Sequence, residues 1–484
     1  MICCYLKNIN NIVLFKDYQN LPTRKTTMDM QLMLQLMNTL AVLRQHEHWT
    51  RPQLEAYQAE SLLRLRKFAY ERSPFYQRFH KGLFDRPLHD LPVLTKSMLM
   101  ENYDTLVTDR TIHLEEVRDH MTNDREGKQF LNRYWVTATS GSTGRPGVFL
   151  FNRDEWVAVL ASFGRAHEWA GIPMMPTHRM KMASIAALTS GSPWHASAQM
   201  TSSARSWWMR AWMPTMSFDA AQPLTEIVQK LNDWKPHLLT GYPSMIRILA
   251  DEQLAGRLCI HPHMILPGSE VLTSETRRRI ETAWGHTPFD GYGATEAGGW
   301  LAAETSEHNG LYLYEDNLIF EVVDEQYHPV PPGAYGEKVL ITVLTSRTQP
   351  LIRYELSDSV RLAAEPSASK LPFARIDSIQ GRTEDSLHLP AINDGEVTVH
   401  PITFHHVLDS LPVSGWQVVQ EKDGLRVLLS GTMNEGHDPQ LIDIITRSLA
   451  SQNVIVPTIT VQHVMVIPKN ATGKTPLIKA YRPS

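Results

Sequence analysis

The apolar and polar positions between residues 220 and 300 alternate between short apolar runs and helical spacings. The short runs predict strands, and apolar side chains three and four residues apart predict helices. Strands that alternate with helices in this way indicate an α/β protein with a parallel sheet. The predicted strands are His237–Thr240, Met264–Leu266 and a third one that follows Pro288–Asp290, and the predicted helices are Leu224–Trp234, Ser244–Glu252 and a helix that Thr273 caps and that ends at Trp284.

Each of these strands leads into a cluster of glycine and polar residues. In parallel sheets, ligands bind beyond the carboxyl ends of the strands, so the clusters predict one shared binding site. The clusters are Gly241-Tyr242-Pro243-Ser244, Gly268-Ser269-Glu270 and Gly291-Tyr292-Gly293-Ala294-Thr295-Glu296.

The pattern changes on both sides of this region and predicts a division into domains. Residues 28–80 have helical spacing, residues 311–380 are rich in β-type runs, and residues 383–484 suggest a small α+β unit. We therefore expect a large N-terminal domain (28–380) with parallel or mixed sheets and a β-rich subdomain. A small α+β C-terminal domain (381–484) is expected to follow it.

Composition and charge narrow the class of protein. The 484 residues include 42% hydrophobic and 20% charged residues, as is typical of soluble globular proteins. A net charge of −4 gives no reason to expect nucleic acid or a membrane as a partner. Cys3, Cys4 and Cys259 are too few for a disulfide framework or a cysteine-based zinc site, which favours a cytoplasmic setting. Residues 1–27 lack periodicity and predict a disordered segment or a mis-assigned start.

One loop, Thr139 to Gly147, holds three glycines, four hydroxyls and one guanidinium in nine residues. It lies between Tyr134–Val136 and Val148–Phe151, two apolar runs that predict strands. Glycine N–H groups, hydroxyls and an arginine are donors suited to phosphate oxygens. An ordinary hairpin turn has a similar composition, so these residues alone leave both interpretations open.

The commonest phosphate-binding patterns do not fit this loop. A Walker A loop reads G-x-x-x-x-G-K-[ST], and with Gly144 as its second glycine the first would fall on Thr139. With Gly473 as the second glycine, the first would fall on Pro468. The protein-kinase motifs and the dinucleotide G-x-G-x-x-G are also absent from the sequence.

Five short motifs nevertheless occur in order between residues 139 and 474. They are Thr139–Pro146, Gly291–Glu296 (Y-G-x-T-E), Leu351–Asp358 (Y-x-T-G-D, with Ser357 in place of the glycine), Gly381–Asp385 (G-R-x-D-D, with Glu384 in place of the first acid) and Gly473-Lys474. Together they resemble the motif set of the adenylate-forming enzymes, which include acyl-CoA synthetases, adenylation domains and luciferases. The resemblance covers about residues 55–480.

Within that superfamily the chain is most similar to the phenylacetate–CoA ligase branch. The motifs that indicate this branch are Ser73–Tyr76, Leu91–Lys96, Gly268–Glu270 and Ile352–Tyr354. The resemblance implies that the small C-terminal domain is mobile. It also implies a ligase that uses ATP and Mg²⁺ on a carboxylic acid, with CoA as the second substrate.

The implied reaction has two steps. A carboxylate attacks the α-phosphorus of ATP to give an acyl-AMP and pyrophosphate, and the CoA thiol then takes the acyl group. The first step brings two anions together, so the site must supply positive charge. The resemblance assigns ATP binding to the loop residues Thr139, Ser140, Gly141, Ser142, Thr143, Gly144 and Arg145, whose hydroxyls and guanidinium hold the β- and γ-phosphates.

The resemblance gives the later motifs roles at the other end of the nucleotide. Thr295 reaches the α-phosphate, and Glu296 holds Mg²⁺, which prefers hard oxygen ligands. Asp358 binds the ribose hydroxyls, and Arg382 lies near the ribose or a phosphate. The residues near the adenine and the acyl group are Gly268, Ser269, Glu270, Gly291, Tyr292 and Gly293, with Tyr242 and Ala294 on the acid.

Lys474 bridges the charge that develops on the carboxylate and phosphate oxygens, with Lys469 and Lys479 as close rivals. A stretch rich in methionine and tryptophan, residues 170–215, favours an aromatic or apolar acid, although such side chains also fill cores. The acyl acceptor stays open between CoA, an amine and a carrier-protein thiol. A nucleotide-binding pseudoenzyme is the alternative outside enzymes, and a homodimer is one open oligomeric state.

Overall fold

The structure is a computed structural model of the chain. It describes residues 23–123, 128–139, 146–172, 179–186, 213–220, 222–365, 369–382, 386–409, 411, 413–431, 435–465, 467 and 477–481. Several stretches with predictions lie outside these residues: 1–22 of the N-terminal segment, 140–145 of the phosphate loop, 173–178 and 187–212 of the methionine- and tryptophan-rich stretch, 383–385 of the G-R-x-D-D motif, and 468–476 of the tail. Within the part of the chain that is described, no helix has the length and apolarity to cross a membrane.

The N-terminal part is helical, as the spacing over residues 28–80 predicts, but it forms several helices rather than one run. The first helix begins at Thr23, upstream of the predicted start. Ser73 ends one helix and caps the next, because its Oγ accepts a hydrogen bond from the backbone N of Tyr76. The helices are α1 (Thr23–His46), α2 (Arg51–Arg72), α3 (Pro74–Phe79), α4 (Lys96–Glu101), α5 (Tyr103–Leu106) and α6 (Leu114–Asn123).

The predicted phosphate loop connects two antiparallel strands, β1 (Trp135–Ala138) and β2 (Val148–Phe151). All four residues of β2 are buried, which explains its continuous apolar run. Helix α7 (Arg153–Trp169) follows at once. Asn152 caps it by accepting hydrogen bonds from the backbone N–H groups of its first turn.

Four strands form a parallel sheet in the order β4-β3-β5-β6, so the α/β prediction is confirmed. The third and fourth strands of this order are the two predicted strands, and each is followed by a predicted helix. The other two strands flank residues 187–212 and had no prediction. The elements are β3 (Met182–Ala186), β4 (Thr215–Asp219), α8 (Leu224–Trp234), β5 (Leu238–Gly241), α9 (Pro243–Leu254), β6 (Met264–Pro267) and α10 (Ser274–Trp284).

The prediction of a third parallel strand after Pro288–Asp290 is wrong. Phe289 does begin beside β6, because its backbone N donates to the carbonyl oxygen of Ile265 at 2.9 Å. Strand β7 (Gly291–Ala294) then pairs antiparallel with β8 (Gly299–Glu304) and belongs to a different sheet. The reason is that the chain reverses through a short 3₁₀ turn directly after β7, so β8 takes its backbone hydrogen bonds.

Residues 311–380 are β-rich, as predicted, and contribute to two antiparallel sheets. One has the order β10-β12-β13 and the other β11-β14-β15-β9-β8-β7. The larger sheet therefore joins the glycine-rich strand β7 to the strands that carry the later motifs. The strands are β9 (Leu311–Leu313), β10 (Leu318–Val323), β11 (Tyr335–Gly336), β12 (Lys338–Val343), β13 (Tyr354–Leu356), β14 (Asp358–Leu362) and β15 (Arg375–Arg382).

The C-terminal residues form an α+β unit with a hydrophobic cluster of its own, which runs from Leu387 to Ile478. Its sheet has the order β20-β19-β18-β21, and the outer two strands run parallel to their neighbours. The first hairpin and the first helix had no prediction. The elements are β16 (Leu387–Pro390), β17 (Glu396–Val399), α11 (Pro401–Leu408), β18 (Val413–Gln420), β19 (Gly424–Gly431), α12 (Asp438–Ala450), β20 (Thr458–Val464) and β21 (Ile478–Lys479).

Polar contacts join this C-terminal unit to two helices that follow the parallel strands. Arg247 of α9 donates to the carbonyl oxygen of Val413 at 3.1 Å. Thr273, the cap of α10, donates to a carboxylate oxygen of Asp409 at 2.7 Å. Asp409 also accepts a hydrogen bond from the indole N–H of Trp416 at 2.8 Å. The unit therefore docks close to the helix ends that face the predicted site.

Candidate active site

The base of the phosphate loop is closed by a pair of hydrogen bonds. The backbone N of Thr139 donates to the carbonyl oxygen of Gly147 at 3.0 Å. The backbone N of Gly147 donates in turn to the hydroxyl of Thr139 at 2.8 Å. Both ends of the loop are therefore fixed on the β1–β2 hairpin, and residues 140–145 between them lie outside the described residues.

The hairpin touches the 3₁₀ turn Thr295–Ala297, which carries the next predicted site residues. The hydroxyl of Thr137 donates to the carbonyl oxygen of Thr295 at 3.2 Å. Gly298 ends this turn with a φ of 72°, a left-handed conformation that favours glycine. A Cβ on Gly298 would lie 2.8 Å from the ring of Phe151, so only glycine lets the turn approach β2 this closely.

Three predicted residues from distant motifs meet beside this turn. The hydroxyl of Tyr292 donates to Asp358 Oδ2 at 2.9 Å. The guanidinium of Arg382 lies 3.7 Å from Asp358 Oδ1, because the two residues are paired across β14 and β15. Burial and the adjacent Asp358 carboxylate raise the pKa of Tyr292 well above its ordinary value, so the phenol stays a donor. One oxygen of Asp358 is thus oriented by the phenol and the other faces a cation.

Glu296 lies close to this group of residues. Burial raises the pKa of its carboxyl, and the positive charges of Arg382 and Lys96 lower it. Asp358 acts in the opposite direction, as a like charge nearby should. The electrostatic coupling indicates that the Y-G-x-T-E, Y-x-T-G-D and G-R-x-D-D motifs converge on one place.

The strand ends of the parallel sheet border the same place. The backbone N of Gly268 donates to the carbonyl oxygen of Gly241 at 3.0 Å, so the segments that follow β5 and β6 stay side by side. Ser269 has a φ of 70°, which is rare for a residue other than glycine and is found at binding sites. Glu270 accepts a hydrogen bond from the backbone N of Ser244 at 3.1 Å and thereby stabilises the start of α9.

Trp300 fills the space beside two of the predicted site glycines. A Cβ on Gly291 would lie 2.0 Å from the indole ring, and one on Gly268 would lie 3.0 Å from it. Phe163 of α7 supports the ring edge-on, with the ring centroids 5.8 Å apart. The indole Nε1 is buried and has no hydrogen-bond partner among the described residues. These glycines therefore make room for a side chain that the sequence interpretation did not include.

Comparisons with known proteins agree on the family to which this chain is similar. Residues 104–343 match the family described as AMP-binding enzyme. Phenylacetate-coenzyme A ligase from Thermus thermophilus is 26% identical over 395 residues, which cover 77% of this chain and 80% of that enzyme. Phenylacetate-coenzyme A ligase from Escherichia coli is 29% identical over 362 residues, 70% of this chain and 74% of that enzyme. The chain belongs to the adenylate-forming ligases. The predicted likeness to the phenylacetate–CoA ligase branch is confirmed.

A solved structure shares the fold of this ligase. The 2-hydroxyisobutyryl-CoA ligase in its postadenylation state superimposes with a TM-score of 0.67 at 20% identity. The match covers 87% of this chain and 88% of that enzyme. The predicted architecture of a large α/β part with a small α+β part is therefore confirmed.

The carboxylate of Glu296 suits the Mg²⁺ that this kind of ligase implies. Magnesium is bound by one or two carboxylates together with substrate phosphates rather than by a cage of side chains. Among the residues that the structure describes, no group of three or more His, Cys, Asp or Glu side chains forms such a cage. Glu296, which lies beside the base of the phosphate loop, is a carboxylate of the kind that a phosphate-bound Mg²⁺ takes.

The structure thus brings together many of the predicted site residues of the ligase. Those for which it gives no position are Ser140, Gly141, Ser142, Thr143, Gly144, Arg145 and Lys474, which lie outside the described residues.

Three methionines of the methionine- and tryptophan-rich stretch have described side chains in or beside the core. Met213 is buried, and Met180 and Met182 pack against the main core, which favours a packing role for these three.

Two residues near the site were missed by the motif search. Trp300 follows the Y-G-x-T-E motif by four residues, and Lys96 ends a motif that was used only to recognise the branch. Neither carries a signal that could be read locally, because a tryptophan and a lysine are common in cores and on surfaces. Their positions become visible only through contacts with Gly291 and Gly147, which are distant in sequence.

Proposed function

We propose that this ligase uses ATP to activate an apolar carboxylic acid, aromatic or aliphatic, as an acyl-adenylate and then transfers the acyl group to CoA. The observation that carries the proposal is the convergence of Tyr292, Asp358 and Arg382 beside Glu296 and the base of the phosphate loop. A ribose requires an acceptor such as the Asp358 carboxylate, phosphates require donors such as those of the loop, and Mg²⁺ requires an oxygen ligand such as Glu296. The two relatives that align over 70% and 77% of the chain are named phenylacetate-coenzyme A ligase, which supports an apolar acid.

At the nucleoside end, Asp358 accepts hydrogen bonds from the two ribose hydroxyls. Tyr292 holds one of its oxygens in place, and a carboxylate with a fixed orientation binds a diol better than one that rotates. The Arg382 side chain has 51% of its surface accessible and lies next to Asp358, so its charge lies near the proposed ribose position.

At the phosphate end, the proposed chemistry is an attack of the acid's carboxylate oxygen on the α-phosphorus. The bond to the β-phosphate oxygen breaks and pyrophosphate leaves. Glu296 would hold Mg²⁺, which would supply positive charge to the phosphate oxygens. The phosphate loop holds the departing group from its fixed base at Thr139 and Gly147, and Lys474 is proposed to neutralise charge between the acid and the α-phosphate.

A screen for pyrophosphate release tests this proposal. The full chain is incubated with Mg²⁺, ATP and a panel of aryl and aliphatic acids, each with and without CoA. We expect pyrophosphate only when an acid is present, and an acyl-CoA only when CoA is added. Release without CoA consumption would move the second step to an amine or a carrier-protein thiol. No acid-dependent release with any acid would contradict a ligase and favour a pseudoenzyme that binds nucleotide.

The position of Trp300 leads to a prediction about the size of the carboxylic acid that the ligase accepts. Because its ring covers Gly291 and reaches Gly268, we expect it to limit the size of the acid. Trp300→Ala should raise the kcat/KM ratio of a phenylacetate-sized acid over an acetate-sized acid by about 10- to 200-fold, the range for one extra group in an apolar pocket. The measurement is the rate of acid-dependent pyrophosphate release for a series of acids of increasing size.

Trp284→Ala is the matched control for Trp300. Its indole nitrogen is likewise buried without a partner among the described residues, but it packs in the separate cluster beneath α8 to α10. We expect Trp284→Ala to lower stability and to leave the order of preferred acids unchanged. An unchanged preference in Trp300→Ala would show that the acid binds elsewhere.

We further propose that residues 28–380 and 381–484 act as two domains, and that the ligase works in the cytoplasm. The separate hydrophobic cluster of the C-terminal unit supports the division. The exposed free thiol of Cys259 supports a reducing compartment.

A homodimer is an open alternative to the monomer. The elution volume of the full chain on a calibrated column decides between the two oligomeric states.

A further inference from the structure

We propose that a cluster of charged side chains around the buried Glu304 positions strand β7 relative to the parallel sheet, and that this position changes when Asp290 gains or loses a proton. The cluster consists of Arg277, Asp290, Glu304 and His308, and we call it the Asp290 cluster. None of the four residues lies in the five motifs. The proposal rests on the proposed function only in what it says about the acid, and its first two measurements need no activity.

The Asp290 cluster joins the two sheets between which the ligand is expected to bind. Arg277 lies on α10, the helix that follows strand β6 of the parallel sheet, whereas Glu304 is the last residue of β8 in the antiparallel sheet. Both terminal nitrogens of the guanidinium lie 3.2 Å from Glu304 Oε2, and one of them also donates to the carbonyl oxygen of Pro288 at 2.8 Å. Glu304 is only 3% exposed. A charge pair with so little exposure and several hydrogen bonds holds its two elements in one arrangement.

Asp290 directly precedes β7 and continues the pairing of β7 with β8. Its backbone N donates to Glu304 Oε2 at 2.9 Å, and the backbone N of Glu304 donates to the carbonyl oxygen of Asp290 at 3.0 Å. Oδ1 of the Asp290 side chain accepts a hydrogen bond from the backbone N of Gly291 at 2.8 Å. The carboxyl group is therefore attached to the residue at which β7 begins, so a change in its charge acts directly on the strand.

The charges of the Asp290 cluster balance only when one of its acids is neutral. Asp290 and Glu304 both lie beside the guanidinium of Arg277, and the Nδ1 atom of His308 lies 3.1 Å from Glu304 Oε2. Burial is the main cause that raises the pKa of Asp290 to about 7, with Glu304 acting in the same direction and Arg277 against it. Asp290 therefore exchanges its proton close to neutral pH.

Trp300 connects the position of β7 to the candidate site. Its ring lies against Gly291, the first residue of β7, and against Gly268, which follows β6 of the parallel sheet. While Asp290 is neutral, the cluster is balanced and keeps the two sheets closed around this ring. When Asp290 ionises, repulsion between its carboxylate and that of Glu304 moves β7 outward and widens the space that Trp300 fills.

Hydrogen exchange of residues 288–294 is the first measurement, because it needs no substrate. The full chain is followed between about pH 5.5 and 8.5, with rates corrected for the intrinsic pH dependence of exchange. We expect protection in the wild type to fall at least about 5-fold as the pH rises through about 7, the lower end of the usual range for coupled sites. Asp290→Asn keeps an acceptor for Gly291 but cannot ionise, so its protection should stay at the level that the wild type has at low pH.

Thermal unfolding measures the same proton independently. The folded chain holds the proton of Asp290 to a higher pH than the unfolded chain does, so the stability it contributes is present below the ordinary carboxyl pKa and is lost as the pH rises to about 7. The unfolding midpoint of Asp290→Asn minus that of the wild type should therefore grow with pH and level off above about 7. Asp233→Asn, which changes an exposed acid at the end of α8, is the matched control and should give a constant difference.

Variants of the two neighbouring side chains make the test specific. Glu304→Gln removes the carboxylate that raises the pKa of Asp290, so the loss of protection should move to lower pH. His308→Gln should leave the transition where it is. A transition that persists in Asp290→Asn and disappears in His308→Gln would assign the proton to His308 and overturn the proposal. Protection in the wild type that does not change with pH would overturn it as well.

The choice of acid is the functional measurement. The kcat/KM ratio of a phenylacetate-sized acid over an acetate-sized acid should rise at least about 5-fold with pH in the wild type and stay constant in Asp290→Asn. An exchange transition without a change in this ratio would overturn the effect on the acid. If the wild type releases no pyrophosphate with any acid, the proposed function fails, while exchange and unfolding still decide whether Asp290 positions β7.

Discussion

Glu296→Gln is expected to lower acid-dependent pyrophosphate release about 10²- to 10³-fold, the usual effect of removing one charged group from a transition state. Glutamine keeps the volume of the side chain but removes the negative charge that suits Mg²⁺. Because Asp358 and Tyr292 remain in contact, AMP binding should be retained. The measurements are the rate of release at increasing Mg²⁺ concentrations and the dissociation constant of AMP.

The pH dependence gives this prediction a second readout. Burial raises the pKa of Glu296, and the carboxyl group of Glu296 must be ionised to hold a cation. At limiting Mg²⁺, the wild-type rate should therefore fall with decreasing pH at a higher pH than an exposed glutamate would give. This decline should be missing from Glu296→Gln. Glu307→Gln, an exposed acid just beyond β8, is the control and should behave as wild type.

A wild-type rate in Glu296→Gln would contradict the assignment of the metal ligand. So would a loss of AMP binding as large as the loss of rate, since it would show that the substitution disturbs the whole site. The Asp358 contact makes these outcomes separable, because it holds the nucleoside end of the ligand independently of the phosphate end.

The sequence predicted those parts of the fold in which local pattern and tertiary environment agree. Leu238–Gly241 and Met264–Pro267 are short, buried and followed by amphipathic helices, and all three features are visible in the sequence. Strands β3 and β4 escaped prediction because they flank a stretch with no clear alternation. The wrong prediction of a parallel strand at β7 has another origin. The residues before Gly291 resemble those before the parallel strands β5 and β6, but β7 pairs antiparallel with β8. The chain reversal after Ala294 determines the sheet to which β7 belongs. A short apolar run does not reveal which strand it pairs with.

The candidate site divides in the same way. Tyr292, Asp358 and Arg382 could be named in advance because each lies in a motif whose order along the chain is specific. Lys96 could not, because its position depends on the pairing of Leu94 with Tyr354. That pairing joins residues far apart in sequence and leaves no local periodicity.

The largest effect in the C-terminal unit is expected from Lys474→Ala. If Lys474 neutralises charge as the acid attacks the α-phosphorus, its loss should lower adenylate formation about 10²- to 10³-fold. ATP binding should survive, because Asp358 and the phosphate loop hold the nucleotide. The measurement is acid-dependent pyrophosphate release together with the dissociation constant of ATP.

The two rival lysines make this prediction specific. Lys479 is fixed in β21, where it pairs with Val419 inside the C-terminal sheet, so Lys479→Ala is expected to leave the rate unchanged. Lys469 belongs to the same segment as Lys474, so Lys469→Ala is the closer control. A wild-type rate in Lys474→Ala combined with an inactive Lys469→Ala would reassign the role. Chemically prepared acyl-AMP adds a further check, because Lys474→Ala should still convert it to acyl-CoA if the lysine acts only in the first step.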